Sequence, residues 1–353
     1  MADITMSQVT ELEDPKLRAV AKRVFLTVRL AAEKAVAHHA EPNNFSIAAD
    51  PESLEQIFLS RFKELRVEKQ QAAKAKVISF VKAPPVSRTG VYGDLSSVDL
   101  RSATDVEAQV KALAFPANLK FPINHLNSLS TLHGNILPVI PGGLIPQQTT
   151  NKLELRIHKV KCIDETGGWP EWGDDEIYLG GTTVDETGDT KKVSKFHVKD
   201  FAKDGDVKNY APPKQFTWFS LLGGTTWPKS YFVTLVLAEV DMGGLADFLN
   251  KLLEKVKEQV VIALVAAGAD IGASVGIVGA VIGAVVGWVV GMVFEWLKSW
   301  WSDDIFKPVT VSISIPSLNA RWAGGQTDSP EGWIKWWGHG GTYKLWYDWR
   351  LFA

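Results

Sequence analysis

Nine carboxylates fall between Cys162 and Thr190 with no Lys or Arg among them: Asp164, Glu165, Glu171, Asp174, Asp175, Glu176, Asp185, Glu186 and Asp189. The tetrapeptide Asp-Glu-Thr-Gly occurs twice, at 164–167 and 185–188. Carboxylates clustered on neighbouring loops suit a hard cation such as Ca2+, which takes roughly six to eight oxygen ligands. On that reading Asp164, Glu165, Asp174, Asp175, Glu176, Asp185 and Asp189 converge at one end of a sheet, and calcium is the expected cofactor. The spacing matches no EF-hand loop. The bland alternative is a solvated acidic rim whose Asp and Gly residues make turns. Paired carboxylates can also hydrolyse glycosides, but nothing in the spacing favours that chemistry, and a hydrolase is the weaker alternative.

A second pattern bears on catalysis. Gly272-Ala273-Ser274-Val275-Gly276 fits the G-x-S-x-G nucleophile elbow. An elbow needs a strand before the serine and a histidine partner; here an apolar, glycine-spaced segment surrounds the serine and only His339 lies downstream. No catalytic residue is assigned, and the chain is read as non-enzymatic.

That segment carries the strongest physical signal. Ile271–Phe294 is an uncharged run of 24 residues, about the length that crosses a hydrocarbon core of roughly 30 Å. Gly268, Gly272, Gly276, Gly279, Gly283, Gly287 and Gly291 are spaced 4, 4, 3, 4, 4 and 4 apart, which places them on one helical stripe. Each glycine costs a helix about 0.5–1 kcal/mol relative to Ala, so a close-packed partner is expected on the stripe. Small-xxx-small spacing lets two helix backbones approach in lipid. Trp288 and Trp296 flank the far end, as interfacial aromatics do. Ala at a stripe glycine is expected to restore helix propensity with little added bulk. Two readings follow: a hairpin stored in the soluble form that inserts into a bilayer, or a buried structural hairpin with its turn near Gly268–Gly272.

Other residues say less. Ten of the 14 tryptophans lie at or after Trp288; the run Trp333, Trp336, Trp337, Trp346 and Trp349 reads as sheet core or as an aromatic platform. His38 and His39 are adjacent and diverge on a helix; His125, His133, His158, His197 and His339 read as lone residues. Cys162 is the sole cysteine, which excludes an intrachain disulfide and a cysteine-rich zinc site.

The elements that hold these residues change texture along the chain. Residues 1–114 read as a helical domain. Asp14-Pro15 and Asp50-Pro51 are helix starts, the second helix running to Pro84, with a shorter one at 104–113. A Pro/Gly-rich connector spans 115–150. From residue 151 apolar and polar residues alternate, as in Leu153, Leu155 and Ile157, and no helical crossovers separate the early strands. The fold class expected is therefore α+β: the helical domain followed by an antiparallel β-sandwich over 151–353, interrupted at 242–304 by the glycine-rich hydrophobic helical hairpin.

Lys and Arg total 38 against 40 Asp and Glu, a net charge of −2, so nucleic acid is not an expected partner. Met1–Thr10 is polar and the first apolar stretch is studded with charges, so no secretory signal is expected. The expectation is synthesis in the cytoplasm, release or injection by a dedicated route, and membrane association on action. The function expected is a membrane-active, pore-forming or inserting toxin or effector whose partners are a lipid bilayer and further copies of itself. The alternative is a binding or scaffold module with a purely structural hairpin.

Overall fold

The computed structural model describes residues 4–9, 11–122, 125, 149–165, 175–223, 227–239, 245–269, 275–297, 306–338 and 341–352. Among these are seven α-helices and two antiparallel sheets, of five and four strands, so the chain is mixed α+β.

Of the two Asp-Pro start signals, Asp14-Pro15 works as read, whereas Asp50-Pro51 lies in a turn ahead of a helix that starts at Leu54 and is capped by Ser53. Asp14 accepts the Leu17 N–H at 2.7 Å and Pro15 opens the first turn of α1 (Pro15–Ala40), where its missing N–H leaves nothing unsatisfied. Helix α1 is buried on nearly every side, polar residues included. Lys34 Nζ lies 3.5 Å from a Glu55 carboxyl oxygen on α2 (Leu54–Glu64), and both side chains are fully buried. Lys34 also donates to the Thr104 carbonyl, and Glu55 accepts the Val106 N–H, each at 2.7 Å. Partners on both sides offset the cost of taking these charges out of water.

The second helix read from the sequence is two. After α2 the chain extends at Leu65 and restarts as α3 (Val67–Val81). Gln70 donates its side-chain amide to the Leu65 carbonyl at 2.8 Å, supplying a partner that a continuous helix would have provided from its own backbone. Helices α4 (Pro85–Tyr92) and α5 (Val106–Ala112) complete this layer. The chain's polar start is not helical: β1 (Thr5–Gln8) pairs antiparallel with β7 (Val309–Ile315).

The remaining strands are β2 (Lys152–Asp164), β3 (Asp175–Val184), β4 (Thr190–Phe201), β5 (Val207–Ser220), β6 (Lys229–Glu239), β8 (Gly332–Gly338) and β9 (Gly341–Phe352). The five-stranded sheet has the order β1-β7-β6-β3-β4 and the four-stranded sheet β5-β2-β9-β8. Leu155, Trp349 and Leu345 of the smaller sheet share one apolar cluster with Leu179, Val233 and Val311 of the larger. Helices α6 (Leu245–Ala266) and α7 (Val275–Leu297) lie in the chain between β6 and β7. A second apolar cluster joins them to α1 and α2 on one side and to Val184, Phe232, Val236 and Ala238 on the five-stranded sheet on the other. The expected connector at 115–150 falls largely outside the described residues.

Glu107 on α5 sits where three helices meet. It accepts the Leu54 N–H at 3.1 Å from the start of α2 and the Gln259 side-chain amide at 2.9 Å from α6. Burial pushes its carboxyl up to about 7, helped by Glu55 and Glu258 and opposed by the Leu54 N–H and Lys255. A carboxyl that stays protonated to about 7 when folded, but only to 4.5 when unfolded, makes the folded state bind more protons across that window. Its stabilising contribution is full below about pH 4.5 and is lost as pH rises through about 7. The melting temperature should therefore fall between about pH 5 and about pH 8, and fall less in Glu107→Gln. Equal slopes in thermal melts of the two proteins would remove Glu107 from this role.

Candidate functional site

The glycines of the apolar segment divide by position. Gly268 is not on the helix: α6 ends at Ala266, Gly268 has φ +94°, and the Ala269 N–H reaches back to the Leu264 carbonyl at 2.9 Å. This is a left-handed helix terminus, which glycine enters without a Cβ penalty. Gly272 and the elbow-like Ser274 lie outside the described residues, and Gly276 begins α7. Gly279, Gly283 and Gly287 face the five-stranded sheet. A Cβ on Gly279 would collide with the Glu186 carbonyl in the β3–β4 turn, and one on Gly283 with the Phe232 ring of β6. At Gly287 it would lie 3.1 Å from Thr310 on β7, and at Gly291 it would meet nothing within 4 Å. The glycine seam thus seats a helix on a sheet rather than backbone on backbone between two helices.

The tryptophans expected beside it both contact protein. Trp288 and Trp296 are partly buried against the helical core, and the Arg29 guanidinium lies 5.3 Å from the Trp296 ring centroid.

Among the described residues, the carboxylates expected to share a cation do not gather. Asp175 and Glu176 open β3, whereas Asp185 and Asp189 flank the turn that follows it, roughly 30 Å away at about 3.3 Å per residue. Asp185 accepts the N–H groups of Thr187 and Asp189, each at 2.9 Å, and so builds the turn that Gly188 closes at φ +87°. Asp189 pairs with Lys257 of α6 at 3.0 Å, and that ammonium holds its carboxyl below the usual range. Asp175 is buried and accepts the Tyr343 hydroxyl between the sheets. Asp164 ends β2, Glu165 donates its N–H to Asp204 at 2.9 Å, and Asp174 lies outside the described residues.

Glu176 instead meets two residues that the sequence offered no reason to join. Its carboxyl oxygen, a ring nitrogen of His197 and an Asp200 oxygen all lie within 4.8 Å of one another. Three apart on a regular strand, His197 and Asp200 would face opposite sides. A bulge in β4 brings them together: Ile177 pairs with Lys199 and the next residue, Tyr178, with His197, leaving Val198 over. His197 Nε2 and Asp200 Oδ1 are 2.7 Å apart, and the Tyr178 hydroxyl donates to Glu176 at 2.6 Å.

A third group lies on the outer face of the four-stranded sheet. Strand β8 alternates, with Trp336 only 2% exposed and Trp333 and Trp337 at 52% and 67%. Lys344 on β9 places its ammonium 4.0 Å from the Trp333 ring centroid and 4.6 Å from that of Trp346, with Lys159 of β2 4.4 Å from Trp346. Lys335 and Lys344 are directly opposite in register, an arrangement that repels across a strand pair.

Comparison of the chain with protein-family models, with curated proteins and with solved structures gives no match.

The glycine contacts overturn alanine as a harmless replacement. Gly279→Ala and Gly283→Ala should each destabilise the fold by about 1–3 kcal/mol through overpacking. Gly291→Ala, with open space at its Cβ, should stabilise by about 0.5–1 kcal/mol through helix propensity. Urea unfolding of the three variants checks this; equal effects at 279 and 291 would mean that α7 does not seat on the sheet.

Proposed function

We propose that the protein acts at a lipid bilayer, docking from the aqueous phase through the outer face of the four-stranded sheet. The observation that carries this reading is the row Trp333, Lys344, Trp346 and Lys159, extended by exposed Lys335 and Trp337 on β8. Tryptophan rings settle at the boundary of headgroup and acyl chain, and lysines reach anionic headgroups. The like-charged pair Lys335 and Lys344 has no carboxylate partner among the described residues, and an anionic surface would relieve its repulsion.

In this reading the two sheets form a sandwich built from 151–353 together with β1, with α6 and α7 as a helical hairpin held between it and the N-terminal helices. Helix α7 carries no charge before Glu295 and is long enough to cross a bilayer. Insertion would require it to leave Phe232 and Thr310, and protonation of Glu107 strengthens the helical joint rather than freeing it. The protein is proposed as non-enzymatic, made in the cytoplasm and membrane-associated on action, with copies assembling once bound. A second reading, a binding module with a structural hairpin, is favoured by one observation: the glycine seam already has its partners inside the folded chain.

Co-sedimentation with vesicles tests docking, and dye release tests insertion separately. Binding to phosphatidylserine-containing vesicles should exceed binding to phosphatidylcholine vesicles and fall as salt rises. Replacing Lys159, Lys335 and Lys344 together by Gln should weaken it by about 3 kcal/mol, roughly 100-fold. Parallel samples with and without Ca2+ ask whether the acidic loops contribute. No binding to either vesicle would overturn the bilayer assignment, and binding without dye release would leave the hairpin structural.

A further inference from the structure

We infer that Glu176, His197 and Asp200 form a binding site for a divalent first-row transition metal, zinc foremost, on the outer face of strands β3 and β4. This site is independent of the bilayer reading and lies on the other sheet.

The donor set selects the class of ion. One imidazole nitrogen and two carboxylates, one from each side, suit Zn2+ and its neighbours. They do not suit Ca2+, which needs a larger all-oxygen shell. Zinc–ligand bonds of about 2.1 Å in a tetrahedron set ligand atoms about 3.4 Å apart. The three donor atoms already lie within 4.8 Å of one another, and one pair, His197 Nε2 and Asp200 Oδ1, at 2.7 Å. Side-chain rotation alone closes the remainder, because the donors are part-buried or exposed and stand on paired strands.

The backbone supports the same conclusion. The bulge at Val198 gives up regular pairing on β4 and turns His197 and Asp200 to one face. Bulges of this kind re-aim side chains beside functional sites. The support around the ligands is also of the right type: the Tyr178 hydroxyl fixes a Glu176 oxygen at 2.6 Å, and its ring lies 5.2 Å from the His197 ring. Outer partners of this kind orient metal ligands. Of the nearby cations, Lys199 pairs with Asp206 at 2.8 Å, and Lys195 lies over the Tyr178 ring at 5.3 Å, at the border of the site. Three protein ligands leave a position for water or for an external donor, the arrangement of an open site rather than a closed structural one.

The test is titration of the full, chelator-treated protein with Zn2+ by calorimetry, and with Co2+ followed by its visible absorption. One equivalent should bind, and Co2+ should develop the intense visible bands of a low-symmetry site. His197→Ala should lose at least about 100-fold in zinc affinity, and Tyr178→Phe about 10-fold. Circular dichroism confirms that each variant is folded. No binding would overturn the proposal. So would equal zinc binding by wild type, His197→Ala and Glu176→Gln, which would assign the ion to other surface groups. Displacement of zinc by equimolar Ca2+ would overturn the class of metal.

Discussion

The distance between α7 and the five-stranded sheet governs the arrangement of the whole chain. At Gly279 and Gly283 the helix backbone lies so close to the Glu186 carbonyl and the Phe232 ring that no side chain fits between them. Because α7 sits this low, α1 can close over it and the two apolar layers become one core. A helix with ordinary side chains on that face would ride higher and push outward the α1 helix that packs against it. The glycines therefore act through what they omit. Their cost in helix propensity, about 0.5–1 kcal/mol each, is offset by the burial that the close seat makes available on both sides of the helix.

Around that seat the chain buries charge where helices join. Lys34 and Glu55 fix α1 against α2, and Glu107 ties α5 and α2 to α6. Such groups add little net stability, because desolvation opposes their mutual attraction. They penalise misplacement instead, since a helix that slips leaves a charge unpaired in an apolar layer. Asp189 does the same work outside, holding the β3–β4 turn to Lys257 of α6 beside the point where Glu186 meets Gly279.

The two sheets divide the remaining tasks. Residues of both share one apolar cluster in which Trp336 and Trp349 are buried; the smaller sheet also shows exposed tryptophan and lysine, and the larger carries the Glu176, His197 and Asp200 group at its β4 edge. An edge strand tolerates the bulge that builds this group because only one of its sides is engaged in the ladder. The bilayer-facing reading and the metal reading thus draw on different sheets and can be tested independently.

The pattern of residues along the chain sets the type of most elements, because helix and strand leave periods of 3.6 and 2 that need no knowledge of the partner. Asp14-Pro15 marked α1, alternation marked β2, and charge-free length marked α7. It also determined that the glycine seam must lie against something close, since glycine in a helix is otherwise a loss. What covers the seam was decided only in three dimensions: a sheet face and a turn, contributed by residues about 50–100 positions earlier and about 25 later in the chain. The acidic stretch misled for a related reason. Two identical tetrapeptides look like one site along the chain, but Asp164 ends β2, and the ten residues of β3 separate Asp175 from Asp185. His197 and Asp200 could not be joined by spacing, because a bulge reverses the face on which each residue after it stands, and a bulge depends on the pairing strand. Local periodicity is written in the chain; which faces meet is a property of packing.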